Sequence, residues 1–154
     1  MQTSNLSVTF GATSYVGWDY TALPLGAALL AAGQQIDAAA DLARRVVLGD
    51  SLRAVEYQLT ATEAEAFAAA GHVGDVPPTV QAWMDAVGKD AVSATADILD
   101  EAAAWKGALY QIRAARLKGK HQALLADSHA AAEAIADAAI AEIQAGIQGV
   151  GNAA

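Results

Sequence analysis

AVSATADILDEAAAWKGALYQIRAARLKGKHQALLADSHAAAEAIADAAIAEIQAGI, residues 91–147, reads as two long alanine-rich helices joined by a short connection. The first carries Ile98, Ala102, Trp105, Leu109 and Ile112, spaced alternately by four and three, which makes one apolar seam. The second carries Ala136, Ile140, Ile143 and Ile147 at the same spacings. Such seams have to be buried against something. The pattern predicts a helical hairpin, roughly 91–125 against 128–147, with Asp127 or Ser128 as the cap of its second arm. The fold class expected is mainly α, a helical hairpin or bundle with a short N-terminal β-like arm.

Composition supports this. The chain has 154 residues, 55% of them hydrophobic, and its mean hydropathy is +0.26. Forty-one alanines explain that figure. Alanine is the best helix former but buries little area per residue, so helices form readily and gain little from packing. That favours thin helix pairs and oligomers. The longest apolar run, Ala22–Ala32, has eleven residues, against about 20 needed to span a bilayer. The start, MQTSNLSV, lacks the basic and apolar blocks of a signal peptide. No cysteine is present, and the net charge of −8 argues against general nucleic-acid binding.

Towards the N-terminus the pattern changes. Leu6, Val8 and Phe10 alternate with Ser7, Thr9 and Gly11, a strand signal, and Tyr15, Trp18 and Tyr20 follow. Residues 1–22 read as an arm or hairpin that docks on the helices or on a partner chain, with these six residues as candidate contacts. Residues 23–154 read as a helical domain. Within it, 23–70 are helices and 71–78, GHVGDVPP, a linker; 79–147 hold a short helix and the hairpin. Leu25, Leu29, Ile36, Ala40, Ala43 and Val47 share one face of the first helix. Segment 52–70 is read as helix, although RAVEYQLT also suits a strand. Thr79 is expected to cap the short helix that Gly88 closes, and Asp90 to cap the next one.

The chemistry candidates have plainer readings beside them. VVLGDSL, Val46–Leu52, looks like the first block of lipase-type hydrolases, with Ser51 as nucleophile. No Asp-x-x-His pair and no Gly-x-Asn-Asp block accompanies it, so a capped helix break at Asp50 or Ser51 is the better reading. His72, His121 and His129 read as solvated surface histidines rather than metal ligands. Asp97, Asp100 and Glu101 suit a solvated face near a helix start, and Glu63 and Glu65 read the same way. Lys106, Arg113 and Lys120, seven apart with Arg116 beside them, form a basic stripe. It suits an acidic partner or phosphate. The plainer reading pairs it with the chain's own Glu133, Asp137 and Glu142. No catalytic, metal or cofactor residue is expected.

Four further stretches carry a resemblance: GDSLRAVEY (49–57), AEAFAAAGHVGDVPPTVQAW (64–83), ADILDEAAAWKGALYQIRAARLKGK (96–120) and AIAEIQAGIQGVGNA (139–153). In order and spacing these blocks resemble small tail-region proteins of tailed phages and prophages, encoded near tail-fibre genes. The family often has proline where Ser51 stands and tyrosine where His72 stands, and residues 1–48 match it less well. The resemblance implies a non-enzymatic, oligomeric tail-associated or tail-fibre-assembly protein. Its partner would be a phage tail or tail-fibre protein, without nucleic acid or membrane. It would sit in the virion tail, or in the host cytoplasm during assembly. The alternative is a non-viral acidic helical interaction module, immunity- or antitoxin-like, that masks a basic partner.

Overall fold

The computed structural model describes residues 1–49 and 51–150, with the backbone alone at Ser51. The described residues hold a two-stranded antiparallel sheet, β1 (Leu6–Phe10) and β2 (Thr13–Trp18), and a 3-10 turn at Tyr20–Ala22. Five helices follow: α1 (Leu25–Leu48), α2 (Ser51–Ala69), α3 (Pro78–Val87), α4 (Ala91–Leu124) and α5 (His129–Ala145). The fold is thus mainly helical with a short β arm, as the seams and the alternation predict. The expected cap at Asp50 or Ser51 lies outside the described residues.

The chain divides into two compact units. One comprises residues 1–46 and 109–149, the other 47–108. The segment 1–22, read from the sequence as an arm, falls within the first of them.

In the first unit, the hairpin pairs Leu6 with Trp18, Val8 with Tyr15 and Phe10 with Thr13. A register shift between Leu6 and Ser7, with Gly17 opposite it at φ +75°, swings Trp18 onto the face of Val8 and Tyr15. Tyr15 and Trp18 then meet edge to face, centroids 5.2 Å apart. This apolar face turns inward. Leu6 and Val8 are buried, and the Phe10 ring lies on Gly26 of α1, where a Cβ would come within 2.4 Å of it. Gln2 and Gln35 clasp the preceding segment to α1. The Gln2 N–H donates to Oε1 at 2.6 Å, and Gln35 Nε2 donates to the Gln2 carbonyl at 2.9 Å.

The helices of this unit meet around Ile36. Ile36, Ala40 and Ala43 are buried along α1 as the sequence pattern predicts, as is Val47, the first residue of the other unit; Leu29 is half-buried and Leu25 is 36% exposed. Gly119 of α4 faces Ala139 of α5 so closely that a Cβ on it would lie 2.3 Å from the alanine methyl and 3.6 Å from Ile36 Cδ1. Missing side-chain volume is what lets these helices approach. Ser128, extended at φ −152°, caps α5 by accepting the Ala131 N–H at 3.3 Å.

In the second unit, Ala64, Val80 and Ala94 form a small core, covered by Val76, Trp83, Met84, Ile98 and Leu99. Segment 52–59 is helical, which resolves the strand alternative. α2 ends in a Schellman arrangement: Gly71 N–H bonds the Ala68 carbonyl and His72 N–H the Phe67 carbonyl. Both residues have positive φ, +69° and +59°. The start of α3 corrects the expectation for Thr79. Pro77 holds the cap position and Pro78 is the first helical residue, where a missing N–H costs nothing and the fixed φ suits the turn. Thr79 instead donates its N–H and hydroxyl to Glu63 Oε2, at 3.2 and 2.6 Å. Gly88 closes α3 in the left-handed region, and Asp90 caps α4 through the Ser93 N–H at 2.8 Å.

Candidate functional site

The six arm residues divide by burial. Leu6, Val8 and Tyr20 are buried within the chain, Tyr15 is half-buried, and Phe10 and Trp18 keep 45% and 42% of their surface. The apolar face of the hairpin is therefore largely engaged by the chain itself. The outer face presents Ser7, Thr9, Ser14 and Val16, and Val16 is 73% exposed. Tyr20 stands out chemically. Its hydroxyl is buried with no hydrogen-bond partner among the described residues, and burial, then the charge of Glu133, raises its pKa. His129 meets its ring edge to face at 5.7 Å.

The basic stripe is largely neutralised, but not by the expected acids. Arg116 Nε donates to Asp37 at 2.7 Å, and Lys120 bonds the other oxygen of the same carboxylate. Lys106 pairs with Glu65 at 2.9 Å. The acids expected as partners, Glu133, Asp137 and Glu142, pair with none of these cations among the described residues. Asp37 lies on the side of α4 that carries Arg116 and Lys120, and a single carboxylate serves both. Burial pushes the Asp37 carboxyl up, but the bonds from Lys120 and Arg116 outweigh it and hold its pKa below the usual value. Arg113 is exposed and forms no ion pair among the described residues.

Of the acidic positions, Asp100 and Glu101 are exposed as a solvated face would be, whereas Asp97, Glu63 and Glu65 are engaged. Asp97 accepts from Lys89 Nζ at 2.5 Å and from the Trp83 indole at 3.3 Å, and these bonds, Lys89's first, lower its pKa. Glu63 closes the 71–78 segment through Thr79, and Glu65 holds Lys106. Two histidines likewise depart from the solvated reading. His129 Nε2 donates to the Leu23 carbonyl at 2.9 Å, because a carbonyl can only accept. His72 packs its ring edge to face on Phe67 at 5.3 Å, the side-chain contact that accompanies a Schellman end. His121 is exposed as expected. No group of three or more potential metal ligands occurs among the described residues. The Ser51 side chain, set aside as a nucleophile on sequence grounds, lies outside them.

Apolar side chains are exposed on two helices. On α4, Tyr110, Leu117 and Leu124 recur every seven residues, on the side away from buried Ile112 and Gly119. They are 70%, 47% and 42% exposed. On α2, Leu52, Val55 and Leu59 are 77%, 68% and 53% exposed, away from buried Ala61, Ala64 and Phe67. Isolated exposed leucines are ordinary, but rows at heptad spacing are a packing device. The seven-residue recurrence of 110, 117 and 124 was the sequence signal for the α4 row. It is masked there by the parallel seam through Leu109 and Ile112. A shallow groove of about 270 Å³ between α4 and α5 is lined chiefly by alanines and Gly119, with Lys118 and Glu142 among its polar residues.

No described helix is long and apolar enough to cross a membrane. In comparisons with known proteins, no family, no curated protein and no solved structure matches the chain.

Proposed function

We propose that this chain is a non-enzymatic protein-interaction module that works through exposed helix faces, in the setting that its sequence resemblance implies. There it is a bacteriophage tail-associated structural protein or a tail-fibre assembly protein. The observation that carries the reading is the row Tyr110, Leu117 and Leu124 on α4, large apolar side chains at packing spacing left open to solvent. Aromatic side chains of this type supply binding energy at interface centres. Ion pairs and caps occupy the acids that acid–base chemistry would draw on: Asp37 and Asp97 hold cations, Asp90 caps α4, and Glu63 holds Thr79. Phe10, Val16 and Trp18 leave the hairpin a smaller surface for docking.

Mass spectrometry of purified particles, together with co-purification of a tagged full chain with tail and tail-fibre proteins, tests the proposal. Recovery of the chain in particles or with a fibre protein supports it, and Tyr110→Ala is expected to weaken that recovery. A chain absent from particles that binds neither protein overturns it. A chain that instead neutralises a basic toxin selects the immunity-like alternative.

A further inference from the structure

We propose that copies of this chain associate head to tail, the outward face of α2 in one copy packing against the outward face of α4 in another. The α2 face consists of Leu52, Val55, Leu59, Thr62 and Ala66, spaced by three and four, and every one of them is exposed. The α4 face consists of Tyr110, Ala114, Leu117, His121 and Leu124, spaced by four and three, and every one is exposed. Each row spans two heptads, from 52 to 66 and from 110 to 124, so their lengths match. Both are the a/d pattern by which one helix seats its side chains between those of another.

Charge selects the pairing. Beside the α2 row stand Glu56 and Glu65, both exposed. Beside the α4 row stand Arg113 and Lys118, and the sequence holds no Asp or Glu from Ala102 to Ala126. Pairing either row with its own copy sets like charges across the contact, which destabilises it. Pairing α2 with α4 sets glutamates against arginine and lysine in either helix orientation. Glu56, Arg113 and Lys118 make no ion pair within the chain among the described residues, so they are available for it. A contact between two different surfaces builds a ring or an open series, or a two-fold pair if it is made twice. The inference goes beyond the tail reading, since it requires no protein but this one.

The test is sedimentation equilibrium of the full chain, alone and as the variants Leu59→Glu and Leu117→Glu. Both residues are exposed, so circular dichroism, and the thermal midpoint at concentrations where the wild type is monomeric, are expected to stay at wild-type values. The wild type is expected to self-associate reversibly, less so at high salt. Each variant alone is expected to associate about a hundredfold more weakly, because a carboxylate would enter the seam. Mixed, the two are expected to recover a complex, since each retains the face that the other has lost. If a variant fails to fold, Leu59→Gln and Leu117→Gln replace it. A wild type that stays monomeric to about 1 mM, a variant that self-associates undiminished, or a mixture that does not rejoin overturns the proposal. The tail reading draws on the same α4 row but is tested separately, by recovery of the wild-type chain in particles or with a tail or fibre protein.

Discussion

Arg116 reaches back 79 residues to donate its Nε–H to Asp37 at 2.7 Å, and Lys120, one turn further along α4, shares the same carboxylate. All three side chains are only partly exposed, about a quarter to a third. Removal of the carboxylate leaves two cations facing one another.

Asp37→Ala is expected to cost about 1–2 kcal/mol, a figure held down by solvent screening. The pH dependence has a defined sign. Because the folded pKa lies below the ordinary value of 3.8, the contribution of Asp37 is present in full above that value. It is lost as pH falls through the lower, folded pKa. Urea midpoints measured from pH 6 down to pH 3 are expected to fall less steeply in Asp37→Asn than in the wild type.

Two glycines on α4 are expected to respond oppositely to alanine. At Gly119 the new methyl meets Ala139 at 2.3 Å, so α4 and α5 must separate, at about 1–3 kcal/mol. At Gly107 nothing lies within 4 Å, and the gain in helix propensity is about 0.5–1 kcal/mol. Thermal melts of the two variants, one lower and one higher than wild type, check the pair.

Tyr20 is 1% exposed, and its hydroxyl has no partner among the described residues. Tyr20→Phe keeps the ring against His129 and deletes the unsatisfied group, so stability is expected to stay level or rise by up to about 1 kcal/mol. Tyr20→Ala empties the site and is expected to cost about 3–5 kcal/mol. Chemical denaturation of both variants separates the ring from the hydroxyl.

Trp105 is half-buried and meets Tyr57 edge to face at 5.1 Å. A fully buried tryptophan at a seam position would lose about 3–5 kcal/mol on truncation. With part of its surface in water, Trp105→Ala is expected to cost about 1.5–3 kcal/mol. Urea titration followed by circular dichroism measures it.

The helix ends were legible in the sequence because caps act locally. Asp90, Gly88 and Ser128 each do what their type does in isolation. Pro78 was harder to place, because a proline pair marks a boundary without saying on which side of it the helix begins. The partners of Arg116 and Lys120 were not legible. Asp37 lies far off in sequence, and Glu133 and Asp137 looked equally suitable. The inward turn of the hairpin was likewise hidden. Alternation shows that Leu6, Val8 and Phe10 share a face, but not whether that face meets this chain or another. Trp18 joins it only through the irregular register beside Leu6. The open rows on α2 and α4 follow heptad spacing, but spacing alone does not say which of a helix's two apolar sides is covered.

The crossing at Gly119 and Ala139 constrains how this sequence can drift. Where Gly119 meets Ala139 the nearest facing group is a methyl on the neighbouring helix and not the end of a long side chain that can fold aside, so each position is bounded from above by the other. A methyl gained at 119 has to be surrendered at 139. The two sites are therefore expected to vary together among descendants of this chain, and neither is expected to enlarge alone.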